Sequence, residues 1–229
     1  QTFLHCAMRI KRNKAFRKRV LFYRQAFGFR EPHRVLIDGT FIHAALMAHV
    51  RIKDQLRVIC GKKYTPMITQ CAVQELRNMG KDFWGDLAIA KEFYRIKCGH
   101  MSRQWDASLP ALECCKKIIG ETNDKKYFVA TQDMELRAHC RKIAGVPVIC
   151  LRQQVPFLEA PSKASLGHHE RREKRKVAPQ NWEREKVPAL QPDVQEAAEE
   201  VVWKKKKKSK APNPNSFKRS KKVRKTPVK

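Results

Sequence analysis

The 229-residue chain carries 50 Lys and Arg against 22 Asp and Glu, a formal charge of +28, so its composition points to a polyanionic partner. The excess sits at the ends: residues 1–30 hold nine basic residues and no acid, residues 161–229 hold 21 basic against 8 acidic, and residues 31–160 hold a more ordinary 20 against 14. No apolar run approaches membrane-spanning length and the N-terminus lacks an apolar stretch followed by a small-residue cleavage site, so neither a transmembrane helix nor secretion is expected.

Residues 9–30 alternate cations with Phe16, Phe22, Tyr23, Phe27 and Phe29. Arg9, Lys11, Arg12, Lys14, Arg17, Lys18 and Arg19 can grip phosphates while the rings stack on bases. Equally, the segment can be an amphipathic helix with Phe22 and Phe27 packed on a core. The expectation is a basic, disordered arm over 1–30. Val35 to Ile37 then reads as a buried strand ending at Asp38-Gly39. Thr40 can cap a helix over Phe41 to Val50, and a second helix is expected from Ile52 to Cys60. Pro66 to Thr69 is a short strand. The helix opening at Thr69 or Gln70 turns Ala72, Val73, Leu76 and Met79 to one side and closes at Gly80. Phe83 to Ile96 reads as one long, well-buried helix, and Leu112 to Ile119 as a short one after Pro110. Tyr127 to Thr131 is the clearest buried strand. A helix to Ile143, the turn Gly145-Val146-Pro147 and a strand over Val148 to Leu151 complete the pattern.

Strands alternating with helices imply an α/β fold with a central parallel sheet and right-handed crossovers. Ligands of such sheets lie beyond the C-terminal strand ends, where Asp38 and Asp133 both fall. Acids converging from separate strand ends are what a divalent-cation site requires. After residue 152 the periodicity fades, and residues 153–229 read as a basic, largely disordered tail containing an acidic island at 191–203. Its run Lys204, Lys205, Lys206, Lys207 and Lys208 cannot build a core and fits nucleic acid, or a nuclear-localisation tract.

The eight cysteines are expected to be reduced, as core thiols or metal ligands. Cys98-Gly99-His100 is the strongest local metal signal. With Cys71 upstream and Cys114 downstream it gives three sulfurs and one imidazole, a set suited to closed tetrahedral structural zinc. The spacing is not that of a free-standing finger; it fits an ion embedded in a larger domain, pinning the 97–113 excursion to the helix near Cys71. The four can also be ordinary reduced thiols and a surface histidine.

The L-I-D-G-T strand end, the C-A-V-Q-E-L helix, Y-F-V-A-T-Q-D and G-V-P-V-I resemble the PIN domain of eukaryotic ribosome-assembly factors, most of all the Utp-twenty-three branch beside the Fcf-one branch. F-G-F-R-E-P and the tail segment A-P-N-P-N-S match as well. The likeness runs from about Met8 to Leu151. It implies a PIN-like domain over 31–152 with an embedded CCHC zinc site at Cys71, Cys98, His100 and Cys114, the motif preferring Cys114 to the adjacent Cys115. Its RNA-cleaving members hold magnesium or manganese on three or four acids, which fall here on Asp38, Glu75 and Asp133. Each has a plainer reading: a turn acid before Gly39, a surface helix residue, and a helix cap.

Two departures from that pattern stand out. The turn before the Leu112 helix offers only Glu113 where active relatives are acid-rich, and Glu135 replaces an aspartate two residues after Asp133. A site short of carboxylates holds its ions weakly. The resemblance therefore implies a non-catalytic RNA-binding factor of the nucleolar small-subunit processome. It would act in pre-rRNA processing and 18S maturation through pre-rRNA and small nucleolar RNA, with ribosome-assembly proteins as partners. The alternative is a metal-dependent endoribonuclease acting on pre-rRNA. A DNA-binding zinc protein would need a recognition helix after a compact finger, and no such segment is found.

Overall fold

Two apolar layers, one on each face of a six-stranded sheet, organise the chain. The computed structural model describes residues 2–99, 109–152 and 155–178. One compact unit spans Gln1–Val177; the second, Ala178–Lys229, lies outside the described residues but for Ala178. The strands are β1 (His33–Ile37), β2 (Tyr64–Thr69), β3 (Tyr94–Ile96), β4 (Tyr127–Ala130), β5 (Val148–Arg152) and β6 (Val155–Leu158). Their order is β3-β2-β1-β4-β5-β6. The first five run parallel, and β6 closes one edge antiparallel to β5.

Eight helices are described: α1 (Thr2–Phe27), α2 (Gly39–Met47), α3 (Ile52–Cys60), α4 (Gln70–Asn78), α5 (Trp84–Lys91), α6 (Ala111–Ile119), α7 (Met134–Lys142) and α8 (Lys163–Val177). Alternation along the strands sorts side chains between the faces. Val35, Ile37, Phe128, Ala130 and Ile149 pack with the buried residues of α1 to α4, among them Phe16, Phe41, Leu56 and Leu76. Leu36, Tyr127, Val129 and Val148 pack with Cys115 and Ile119 of α6 and Leu136 and Cys140 of α7. The expected α/β architecture with a parallel centre is therefore present.

Several expectations are corrected. The segment expected as a disordered arm over 1–30 is ordered in its described part, residues 2–30. These form α1 and its exit, with Phe16, Tyr23, Ala26 and Phe29 buried and Phe22 and Phe27 half-buried against the core. The reason is spacing: Phe16, Tyr23 and Ala26 recur at seven and three residues, one helical face, beneath the cations. That face meets α8, which lies in the segment expected to be disordered. Phe27 stacks on His168 and Phe22 meets His169 edge-on, while Arg172 donates to the Ala26 carbonyl at 2.6 Å.

The long Phe83 to Ile96 helix does not form. A 3₁₀ turn at Lys81–Phe83, the short α5 and strand β3 replace it, and within α5 only Asp86 and Ala90 are buried. Pairing with β2 draws Tyr94 to Ile96 into the sheet edge, overriding their place in an apolar helical pattern. Met79 is exposed, not core. Helix α2 is capped by Asp38, whose side chain accepts from Gly39 N, and Thr40 sits inside the first turn.

Candidate functional site

The strand order reverses direction between β1 and β4, the switch point where a crevice opens beyond the carboxyl ends. Asp38 follows β1 and its N–H donates to the Ala130 carbonyl at 2.9 Å. Its side chain is 5 % exposed and accepts three hydrogen bonds: from Gly39 N at 2.8 Å, Thr40 Oγ1 at 2.5 Å and Thr131 Oγ1 at 3.0 Å. Those donors satisfy a buried carboxylate without a cation. Asp133 accepts from Glu135 N at 2.9 Å and caps α7. Glu75, on α4, accepts the Ala111 amide at 2.7 Å, placing negative charge at the N-terminal end of α6.

Glu75 and Asp133 line one cleft of about 420 Å³ with Gly39, Thr40, His43 and Gln132. Asp38 lies beneath it through Thr40. The three acids thus gather at one rim, each engaged by protein donors. Among the described residues, no three carboxylates have their ligand atoms within 4.8 Å of one another. Glu113 is exposed, and Glu135 pairs with Lys116 at 2.5 Å. The plainer readings of Asp38 and Asp133 as turn and cap acids are realised geometrically, and they are compatible with a place on the rim.

Sequence reasoning missed four members of the site. Thr131 links Asp38 to the Asp133 amide: its hydroxyl donates to Asp38 and accepts from Asp133 N at 3.1 Å. Gln132 bridges the strand ends, donating to the Leu151 carbonyl and accepting from its amide, both at 3.0 Å. His43 enters the cleft and its Nδ1 contacts Asp86 Oδ2 at 2.9 Å; Asp86 is fully buried. For Thr131 and Gln132 a signal existed, since both lie inside the Y-F-V-A-T-Q-D run. For the His43–Asp86 pair there was none, as 43 residues separate the two.

The thiol cluster lies beside this rim. Cys71 opens α4 just after its Thr69 cap, Cys98 follows β3, and Cys114 is on α6. Their sulfurs lie within 4.8 Å of one another, Cys71 to Cys98 at 3.5 Å. Tetrahedral zinc at ordinary Zn–S lengths sets sulfurs about 3.8 Å apart, so the three are spaced to hold a metal ion. His100 lies outside the described residues. Cys115 points instead into the second core among Leu36, Ile119 and Leu136, which assigns the sulfur position to Cys114. Burial pushes the Cys114 thiol up, and burial followed by the Cys98 neighbour does the same to Cys71. Metal uptake there must therefore displace protons.

The predicted phosphate-gripping residues divide. Lys14, Arg17 and Lys18 are exposed on α1. Arg19 is not free for a ligand: it donates to the Leu158 carbonyl and lies 4.8 Å over the Phe157 ring. Arg12 is half-buried. Arg9 and Lys11 fall within α1, but their side chains, and all of Lys204 to Lys208, lie outside the described residues.

The Fcf1 family model matches residues 58–160. The chain is 38 % identical over 161 residues to the rRNA-processing protein utp23 of Schizosaccharomyces pombe, covering 69 % of this chain and 60 % of that protein. It is 31 % identical over 133 residues to the mouse rRNA-processing protein FCF1 homolog, covering 57 % and 63 %. It therefore spans less than two thirds of the length of these curated relatives. A solved structure of the PIN domain endonuclease Utp24 aligns with a TM-score of 0.49 at 29 % identity, over 56 % of this chain and 92 % of that one. The family model and the sequence identities to utp23 and the FCF1 homolog lead to one assignment: the chain belongs to the Fcf1/Utp23 family.

Proposed function

We propose that this chain is an RNA-binding factor of pre-rRNA processing, and that its acidic cleft is a degenerate nuclease site which holds RNA without cutting it. The observation that carries the reading is the engagement of the rim. Asp38, Glu75 and Asp133 each accept from protein groups, and no triad of carboxylates converges among the described residues. A two-metal phosphodiesterase needs several carboxylates free to face its ions. The names of the relatives, rRNA-processing proteins in fission yeast and mouse, support the substrate class. On this reading the chain works in the nucleolar small-subunit processome, in 18S rRNA maturation. It contacts pre-rRNA and small nucleolar RNA, and its polycationic ends add affinity.

The cysteine cluster belongs to the same proposal. Cys71, Cys98 and Cys114 hold zinc with His100 as fourth ligand, and the ion, once bound, supplies a rigid cross-link and no reactive water. That cross-link would tie the 97–113 excursion to α4 one turn from Glu75.

The test is incubation of full-length protein with labelled precursor RNA in manganese, comparing wild type with Asp38→Asn. Retention of RNA by both and cleavage by neither is expected. Cleavage by the wild type that the substitution abolishes would replace this reading with the endoribonuclease.

A further inference from the structure

A second groove lies at the other end of the sheet. It has a volume of about 640 Å³ and runs between α1 and α3, at the amino-terminal ends of β1 and β2. Its walls carry Arg17 and Arg24 from α1, Arg30 from the loop after it, Arg57 from α3 and Lys62 from the turn into β2. All five are exposed, and none forms an ion pair within the described residues. Glu31 is the single acid on the wall.

Two polar atoms of residues lining the groove lack partners among the described residues. His33 is 4 % exposed and its Nδ1 has no hydrogen bond; Asn13 Oδ1 is likewise buried and unpaired. Such orphans inside a folded protein are costly unless a ligand completes them. The same wall carries an apolar strip in which Leu21 is 48 % and Val58 39 % exposed.

We propose that this groove binds one strand of RNA, with Arg17, Arg24, Arg30, Arg57 and Lys62 on successive phosphates and one unstacked base lying on Leu21 and Val58, its edge bonded to His33 and Asn13. Each part of the groove matches a part of a nucleotide. Guanidinium groups suit phosphate oxygens in bidentate geometry. An apolar strip suits a base face, and buried polar atoms suit its edge. An acidic peptide would use the cations but would leave the strip and the orphaned pair without partners. The proposal rests on the RNA-binding reading above and adds a location to it, at the end of the sheet opposite the acidic cleft.

The test uses full-length protein and a single-stranded oligoribonucleotide, with affinity measured against salt by fluorescence polarisation. The groove variant Arg57→Glu/Lys62→Glu is compared with Lys91→Glu/Arg95→Glu, an equal charge change at exposed residues outside the groove. Circular dichroism checks that both fold. The groove variant should bind at least about tenfold more weakly at about 0.15 M salt, and its slope of log K on log salt should fall by about 1.4, two single-strand phosphate contacts. Ultraviolet crosslinks in the wild type should fall on the peptides holding Leu21 and Val58.

Equal loss in the two variants, or crosslinks confined to the tail, would overturn the groove while leaving RNA binding intact. No RNA binding by the wild type would overturn both, and saturable capture of a polyglutamate peptide in its place would put an acidic protein in the groove.

Discussion

Replacing Glu159 by Gln should destabilise the folded unit by about 2–3 kcal/mol at neutral pH, and the cost should vanish in acid. Glu159 follows β6, is 9 % exposed, and accepts from Arg137 at 2.6 Å and from Arg141 at 2.9 Å. It ties the antiparallel edge strand to α7. Two routes give the magnitude. Burial alone would raise this carboxyl, yet the Arg141 and Arg137 hydrogen bonds overcome it and bring the value from 4.5 to about 2, a difference of about 3 kcal/mol by linkage. Breaking a buried ion pair costs about 3–5 kcal/mol, less here because the Arg141 side chain is 44 % exposed and water screens its share.

Because the folded value lies below the ordinary one, the contribution is complete at neutral pH, begins to fade near pH 4.5 and is lost as pH falls toward 2. Urea unfolding of wild type and Glu159→Gln at pH 7, 5, 4 and 3 measures the gap directly, since losses common to both cancel at each pH. In a unit of this size the neutral-pH gap corresponds to roughly 5–10 °C in Tm. A gap of the same size at pH 3 and pH 7 would show that packing or tail contacts, and not the charge on Glu159, hold the edge.

Three further outcomes follow from the same geometry. Gly145 has φ +81° and an added Cβ would lie 2.6 Å from the Phe27 ring, so Gly145→Ala should cost about 2–4 kcal/mol and speed hydrogen exchange in α1 before the sheet. Cys114→Ala should abolish bound zinc by atomic absorption, whereas Cys115→Ala should keep it and lose only core packing, because Cys114 joins the thiol cluster and Cys115 the second core. His43→Ala should lower stability by about 3 kcal/mol by urea unfolding, since it leaves the Asp86 carboxylate buried with neither oxygen paired; Asp86→Asn should restore part of it.

The parts legible in the sequence were those whose burial is complete. Val35 to Ile37, Tyr127 to Ala130 and Val148 to Leu151 are apolar on both faces because helices cover both sides of the parallel centre, so each reads as an unbroken run. The edges carry no such run. β3 is Tyr-Arg-Ile and β6 is Val-Pro-Phe-Leu, short segments fixed by a neighbouring strand and not by their own pattern. Helix α8 has no apolar stripe to read; the Ser165 hydroxyl accepts from the Gly145 amide and two histidines meet phenylalanine rings of α1. Asp38 and Asp133 were found because acids at strand ends stand out. Thr131 stood inside the Y-F-V-A-T-Q-D run, but nothing in that run says that its hydroxyl orients a carboxylate.

The two ends of the sheet differ in how their charges are used, and that difference bears on function. At the carboxyl end Asp38, Glu75 and Asp133 carry like charge where a phosphodiester would have to lie, and at about 4 Å each such pair is unfavourable by about 1 kcal/mol even in water. A bound divalent ion would reverse that sign, but the hydrogen bonds already made by all three acids compete with coordination. At the amino end Arg17, Arg24, Arg30, Arg57 and Lys62 stand exposed without an ion-pair partner among the described residues, so a strand of RNA gains their charge without first breaking such a pair. If the chain binds RNA as proposed, the strand is drawn to the amino end by fixed charge, whereas its approach to the carboxyl rim depends on an ion. Magnesium should then change affinity for the wild type and for the groove variant by unequal factors, more for the groove variant, because only the rim needs the ion.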